Sequence, residues 1–152
     1  MKKLFLGLVV TVLLFTTVGC EKVEKGDYKE GTYYAGVVDN YGGKENVASV
    51  VLYVNENGMI KSVFIDTTYD SSTGGNSTKK TLGADYAMKT KNPAASGEWD
   101  EQMEKLEAEI IAKQGIDFLN LTTDGKTDAV AGVTIKIDAI YEALKQVINK
   151  AK

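Results

Sequence analysis

The stretch VASVVLYVNENGMIKSVFIDT, residues 47–67, decides the fold of the first half of this chain. Its two arms are rich in β-branched and aromatic residues, which favour strands. The tetrapeptide Asn55-Glu56-Asn57-Gly58 separates them, and an Asn-Gly pair between two such arms is a strong hairpin signal. We therefore predict two antiparallel strands, at residues 47–54 and 59–67, joined by a tight turn.

The residues before the hairpin add a third strand to the predicted sheet. Residues 31–38, GTYYAGVV, are again aromatic and β-branched. Residues 39–45 should form the connecting loop, in which Gly42 and Gly43 are turn signals. The first half is therefore expected to be an antiparallel β-meander of three strands, followed by a Ser/Thr/Gly loop at residues 70–78.

The second half is predicted to be mainly helical. Residues 81–88 should form a short helix that ends before Pro93, because the residue before a proline avoids helical backbone angles. Residues 97–114 repeat apolar side chains every three or four positions, which predicts a first long helix. Residues 117–121 are expected to form a short strand. The last helix presents one apolar face, formed by Ile137, Ile140, Tyr141, Leu144, Val147 and Ile148.

This order of elements indicates the fold class. Strands come first and helices later, which is typical of an α+β domain rather than of alternating α/β units. We therefore predict one domain, residues 31–152, in which an antiparallel β-meander packs with two main C-terminal helices. Its length is suitable for a single domain with a core of its own.

The first residues of the chain have the pattern of a secretory signal. Lys2 and Lys3 precede an apolar run that ends at Gly19-Cys20. The run resembles a bacterial lipoprotein signal, with Thr17 where that signal usually has leucine. An ordinary signal peptide with an incidental cysteine is the alternative.

The resemblance to a lipoprotein signal implies where the mature protein begins and where it resides. Residues 1–19 would be the signal peptide, and Cys20 would carry a fatty acid such as palmitate. Residues 20–30 are polar and charged after the cysteine, which is typical of a flexible tether. We therefore expect a lipid-anchored protein on the extracytoplasmic face of the cell membrane.

The composition excludes several classes of chemistry. The chain has no histidine, no arginine and one cysteine. Without histidine, the common zinc and haem sites and the histidine-dependent triads are excluded, and we predict no metal site. Eighteen lysines against 21 acids give a net charge of −3, so we expect no nucleic-acid partner. Difficult chemistry would have to come from carboxylates, hard metal ions or an organic cofactor.

One motif near the C-terminus combines an acid, a glycine and a hydroxyl: DAVAGVT, residues 128–134. Gly132 permits a backbone conformation that a side chain would block. Thr134 is expected at or just before the first turn of the last helix, where free N–H groups and the helix dipole can bind a phosphate. The alternative is that Thr134 only caps the helix.

Asp128, Gly132 and Thr134 match the Asp-x-x-Ser-Gly-Ala-Thr signature of covalent FMN-binding domains. These domains occur in sodium-pumping and electron-bifurcating membrane redox complexes and in surface flavoprotein lipoproteins of Gram-positive bacteria. Ala131 and Val133 depart from the usual serine and alanine. The resemblance implies that a flavin transferase attaches FMN through a phosphodiester bond to Thr134, with Asp128, Gly132 and Val133 in the cofactor-binding segment.

The likeness extends beyond the motif. The strand at residues 31–38, the hairpin and the segment KKTLGADYAM, residues 79–88, followed by Trp99, are similar to lipoproteins of flavin-based extracellular electron transfer. Tyr86, Met88 and Trp99 could pack against the isoalloxazine ring, or could be ordinary core residues. Lys79 and Lys80 could neutralise the phosphate or the reduced flavin, or could be surface lysines.

The resemblance implies an electron carrier that needs no catalytic residue of its own. It would receive electrons from a membrane donor, such as a quinone-linked dehydrogenase, and pass them to an external acceptor. Two alternatives stay open. One is a non-redox lipoprotein that binds a ligand or a partner, and the other is a flavin-dependent reductase with one specific substrate.

Overall fold

The computed structural model describes residues 24–40, 44–70 and 76–152. The predicted signal peptide, Cys20, the first part of the tether, the Gly42-Gly43 turn and residues 71–75 of the Ser/Thr/Gly loop lie outside the described residues. Within the described ranges, no helix combines the length and the apolar character that a membrane span needs.

In the described part of the chain, four antiparallel strands form one sheet in sequence order. They are β1 (Gly31–Asp39), β2 (Asn46–Val54), β3 (Ile60–Asp70) and β4 (Asn76–Thr78). The predicted meander is confirmed in its first three strands. The prediction of a loop over residues 70–78 was wrong at both ends, because β3 continues to Asp70 and Asn76 to Thr78 pair back onto it. The pairing is a local hairpin with the end of β3, and a Ser/Thr/Gly composition does not indicate strands on either side of its turn.

Asn55 builds the turn between β2 and β3. Its Oδ1 accepts hydrogen bonds from the backbone N–H groups of Asn57 (3.2 Å) and Met59 (3.0 Å). Gly58 lies in the left-handed region at φ +74°, a conformation that favours glycine. The Asn-Gly signal therefore located the hairpin, although the connection, residues 55–59, is wider than a two-residue turn.

Four helices follow the sheet. They are α1 (Lys79–Leu82), α2 (Met88–Lys91), α3 (Trp99–Lys113) and α4 (Asp138–Ala151). A 3-10 turn, Gly83–Tyr86, separates α1 from α2. The prediction of one short helix at residues 81–88 was wrong, because Gly83 (φ +51°) and Ala87 (φ +57°) take left-handed angles that interrupt it.

The two long helices are confirmed, and the predicted strand between them is wrong. Glu98 and Glu101 start α3 with a capping box, in which each side chain accepts a hydrogen bond from the backbone N–H of the other residue. Residues 117–121 form no strand, since the described backbone there pairs only in one isolated bridge, between Leu121 and Thr127.

The core lies between one face of the sheet and the two long helices. Helix α4 packs on β1 and β2, and α3 packs on β3. In β2 every second residue is buried against the helices and the residues between them face away, whereas β1 buries only Ala35 and β3 follows the alternation less regularly. The outward face includes the exposed side chains Tyr34, Val38, Val47, Tyr53 and Phe64. The two long helices thus cover one side of the sheet, and the predicted α+β fold, a β-meander packed with two main C-terminal helices, is confirmed.

Helix α3 also covers the edge of β3 beyond its short pairing with β4. The Gln114 side chain accepts a hydrogen bond from the N–H of Ile60 (2.7 Å) and donates one to its carbonyl (2.9 Å). The Glu107 carboxylate accepts from the N–H of Ile65 (2.6 Å) and pairs with Lys80. Burial raises the pKa of Glu107, and the hydrogen bond from Lys80 opposes that shift. These side chains satisfy backbone groups that an exposed edge strand would present for aggregation.

Substitution of Leu52 tests which face of the sheet carries the core. Leu52 is fully buried and its neighbour Tyr53 is 42% exposed. Leu52→Ala should lower the free energy of unfolding by about 2–5 kcal/mol, through lost burial and a residual cavity. Tyr53→Ala, the matched control on the other face, should cost less than about 1 kcal/mol. Urea titrations followed by circular dichroism measure both, and equal losses would contradict this assignment of the faces.

Candidate functional site

The motif at residues 128–134 lies in the connection between the Leu121–Thr127 bridge and α4. Val130 and Val133 are buried in the core and hold this segment against the domain. Gly132 between them has φ +83°, and a Cβ there would lie 2.8 Å from the Nζ of Lys105. A side chain at this position is disfavoured mainly by the backbone conformation. The steric contact is less important, because the flexible end of Lys105 can move away.

Thr134 does not lie at the start of the last helix. Helix α4 begins at Asp138, and its N-cap is Ile137, which has no side-chain oxygen to cap with. The prediction that Thr134 stands at or just before the first helical turn was wrong, because Thr134 lies four positions before Asp138, and the alternative that it caps the helix was wrong too. The cause is the non-helical chain before α4, where the N–H of Ile137 donates to the carbonyl of Gly125 (2.8 Å).

Thr134 is instead held by the start of α3 and the loop before it. Its backbone N–H donates to Oε1 of Gln102 (2.8 Å), and its hydroxyl lies 3.3 Å from the same oxygen. The hydroxyl of Ser96 donates to the carbonyl of Gly132 (2.6 Å) and lies 3.3 Å from the Thr134 hydroxyl. The residue as a whole is exposed, and these two 3.3 Å contacts lie at its hydroxyl oxygen.

A cavity of about 370 Å³ opens beside Thr134. Its wall includes Tyr86, Met88 and Trp99, which come from the 3-10 turn, α2 and α3. The fold therefore gathers four of the residues singled out in the sequence around one space. Trp99 is a core residue at 3% exposure and also lines the cavity, and its contact with a flavin ring stays a prediction.

Lys79 is not a surface lysine. It is 6% exposed, lines the same cavity, and its ammonium lies over the rings of Trp99 (5.4 Å) and Tyr86 (5.7 Å). Burial lowers the pKa of Lys79 below its usual value, and the charges of Asp39 and Asp66 act in the opposite direction. A buried cation over two aromatic rings makes this wall favourable for an anionic group.

Lys80 faces elsewhere, although it is the next residue. It pairs with Glu107 and lies over the ring of Phe64 at 4.3 Å from the ring centre. It is mostly buried as well, so the surface-lysine interpretation is wrong for it too. Its contacts join α1 to α3 and to the sheet, which is a structural role.

The remaining charges around the cavity are mixed. Lys126 pairs with Asp124 (3.4 Å) and Lys136 pairs with Asp138 (2.9 Å). The hydrogen bond and charge of Asp138 raise the pKa of Lys136. These four residues line the cavity together with Asp39, Asn92 and Ile135. Because these two pairs neutralise each other, the charges that remain at the cavity are the Lys79 ammonium and the Asp39 carboxylate, which acts on it.

Three residues of the predicted cofactor segment lie outside the cavity wall. Asp128 is exposed and is not among the described residues that line the cavity. Gly132 gives the segment its left-handed backbone angle, and the buried side chain of Val133 fixes the segment to the core. Their contribution is therefore to present Thr134 rather than to touch a ligand in the cavity.

Sequence reasoning missed Gln102 and Ser96. Gln102 is fully buried on α3 and shares the helix face of Trp99 and Leu106. A polar residue on an apolar helical stripe was the available signal, because a buried amide needs specific hydrogen-bond partners. Ser96 carries no such signal, since it lies in a loop and acts through a contact 36 residues away in the chain.

Comparisons with protein-family models, with curated proteins and with solved structures found no match to this chain. Among the described residues, no group of three or more acidic or cysteine side chains is arranged to hold a metal ion. The chemistry of the site therefore has to be argued from its own residues.

The charge of Lys79 should be visible in the pH dependence of stability. Because its pKa is lowered from 10.5 in the folded protein, the unfolded chain binds more protons between the two pKa values. Stability should therefore rise with pH across that window. As pH rises from 7 toward 10.5, the free energy of unfolding of the wild type should increase relative to that of Lys79→Met. Urea titrations measure this difference.

Lys126→Met is the control for this comparison, because it removes an exposed lysine from the same cavity. It should follow the wild-type pH dependence. A pH dependence of Lys79→Met that parallels wild type would contradict the lowered pKa.

Proposed function

We propose that this protein is a lipid-anchored, extracytoplasmic electron carrier with FMN attached covalently to Thr134. One observation carries the proposal: Thr134, an exposed residue with a hydroxyl, stands at a cavity walled by aromatic rings, a thioether and a buried lysine. The resemblance of residues 128–134 to a flavin-attachment signature agrees with it.

The residues around the cavity fit the chemical parts of FMN. A volume of about 370 Å³ lies within the roughly 300–1,000 Å³ usual for ligand pockets. Trp99 and Tyr86 offer aromatic faces and Met88 a polarizable sulfur, which suit a flat heteroaromatic ring. Lys79 supplies positive charge for a phosphate or a reduced, anionic ring. Absence of histidine and of a second cysteine is no obstacle, because the cofactor supplies the redox chemistry.

Attachment requires only a hydroxyl from this chain. The Thr134 oxygen forms the new bond to the phosphorus of a flavin nucleotide whose phosphate is activated as an anhydride. The anhydride P–O bond breaks, the nucleotide leaves with that oxygen, and the hydroxyl proton passes to a base on the flavin transferase or to water. The chain is thus the substrate of the transferase, and no group on it needs to act as a catalyst.

A covalent bond suits a protein outside the cell. A dissociable cofactor would be diluted into the surroundings, whereas a tethered one keeps a high effective concentration at its site. The membrane donor would be a quinone-linked dehydrogenase and the acceptor an external oxidant. The lipoprotein-type signal at residues 1–19 and acylation at Cys20 would hold the carrier near that donor.

Thr134→Ala tests the attachment site. The variant should lose all covalent flavin but keep the fold, because the side chain is exposed and its hydroxyl makes only 3.3 Å contacts. Thr123→Ala, which alters an exposed threonine upstream, should retain flavin. The measurement is flavin fluorescence in denaturing gels of protein from the native host, with mass mapping of the peptide that contains Thr134.

Flavin that stays on Thr134→Ala through denaturation would contradict the site. Wild-type protein without flavin would contradict the carrier function and favour the ligand-binding lipoprotein. If flavin is present, turnover that is confined to one substrate among a panel of acceptors would instead favour a dedicated reductase.

Cys20→Ser tests the anchor. Without a thiol to acylate, the protein should leave the membrane fraction and appear in the culture medium or in the salt-extractable fraction. Immunoblots of the detergent, salt and medium fractions measure this distribution, and the wild-type protein is the control. Equal retention of the variant in the detergent fraction would contradict lipid anchoring.

A further inference from the structure

Gln102 has no role in the function proposed so far, although it lies directly behind Thr134. It is fully buried near the start of α3. A primary amide that is buried so completely persists only if its hydrogen-bonding groups are satisfied. The hydrogen-bond partners of the Gln102 amide therefore show which parts of the protein this side chain holds in place.

The amide of Gln102 has one possible orientation. Its Nε2 donates to the carbonyl of Gly97 (3.0 Å) and contacts the sulfur of Met88 (3.4 Å). Its Oε1 accepts from the backbone N–H of Thr134 at 2.8 Å. A carbonyl can only accept and an N–H can only donate, so a flipped amide would break both bonds. Gln102 therefore ties Thr134 rigidly to α3 and to a cavity-lining side chain.

The Thr134 hydroxyl lies between two acceptors. Oε1 of Gln102 and the Ser96 oxygen are each 3.3 Å from it. Ser96 already donates its hydrogen to the carbonyl of Gly132, so it can only accept from Thr134. The single Thr134 proton is thus shared between these two acceptors, and neither neighbour donates to the lone pairs of the threonine oxygen.

We propose that Gln102 is the positioning residue that presents Thr134 for modification, with Ser96 in a supporting role. This inference rests on the proposed function, because it assumes that Thr134 accepts a flavin phosphate. Gln102 sets the backbone of the acceptor and turns its hydrogen inward, leaving the oxygen free to attack phosphorus. Correct orientation of a nucleophile contributes strongly to rate, so its loss should appear in the attachment step.

Three variants separate positioning from mere stabilisation. Gln102→Leu keeps the approximate size but loses every hydrogen bond to Thr134. Gln102→Glu can accept both bonds from Thr134 and, when protonated, can donate to Gly97. Gln114→Leu is the matched control, because it also removes a glutamine hydrogen-bonded to backbone, at Ile60, on the same helix but away from Thr134.

The experiment measures initial rates of flavin attachment to the full chain in detergent. The chain is produced in a host without flavin transferase and is then incubated with purified transferase and flavin dinucleotide. Fluorescence in denaturing gels and the mass of the Thr134 peptide report attachment, corrected for the folded fraction at each time. Amide hydrogen exchange at Thr134 before incubation provides a measurement that does not depend on flavin.

We expect Gln102→Leu to slow attachment about 10-fold or more, in line with the cost of a small misplacement of a reacting group. The Thr134 amide should exchange faster in that variant. Gln102→Glu and Gln114→Leu should stay within about threefold of wild type, even if Gln114→Leu unfolds at a lower temperature.

The outcomes separate this inference from the function on which it rests. Wild-type rates in folded Gln102→Leu would overturn the positioning role while leaving flavin attachment intact. An equal slowing in Gln114→Leu would also overturn it, since general loosening of α3 would then explain the effect. Failure of wild type to accept flavin, with a transferase active on another substrate, would overturn the proposed function and this inference together.

Discussion

The docking of α3 along β3 is the constraint on which the rest of the structure depends. Toward its C-terminal end the helix satisfies the open strand edge, where Gln114 binds the backbone of Ile60. Its first turns contribute Trp99 to the cavity wall and Gln102 to the support of Thr134. One rigid element therefore both covers the edge of the sheet and sets the distance between the Thr134 hydroxyl and the aromatic wall. A change that shifted the helix along the strand would alter the site before it exposed the core.

Much of the scaffold could be predicted because its signals are local. The Asn57-Gly58 pair and its flanking β-branched arms predicted the hairpin, and the apolar stripe of residues 97–114 predicted α3. The errors occur where no strong residue preference indicates the conformation. Asn76 to Thr78 become a strand only because the edge of β3 continues to Asp70, and Ala87 takes a left-handed angle that no propensity of alanine predicts.

The sequence singled out some of the residues around the cavity but not their geometry. Thr134, Tyr86, Met88 and Trp99 were singled out by residue type and by resemblance, and they line one cavity. The sequence could not show that Thr134 lies before the helix rather than at its first turn, because the backbone bond between Ile137 and Gly125 delays the start of α4. Nor could it show that Lys79 is buried and that Lys80 pairs with Glu107. The two residues are identical neighbours in the sequence, and only the packing of α1 gives them different surroundings.

The position of Trp99 has an optical consequence. It is the single tryptophan of the chain, and it forms part of the cavity wall beside a lysine ammonium. The indole emission of the protein therefore arises from one place, and it should respond to whatever enters that space or moves the start of α3. The molecule carries its own spectroscopic reporter, and no label or second tryptophan confuses the signal.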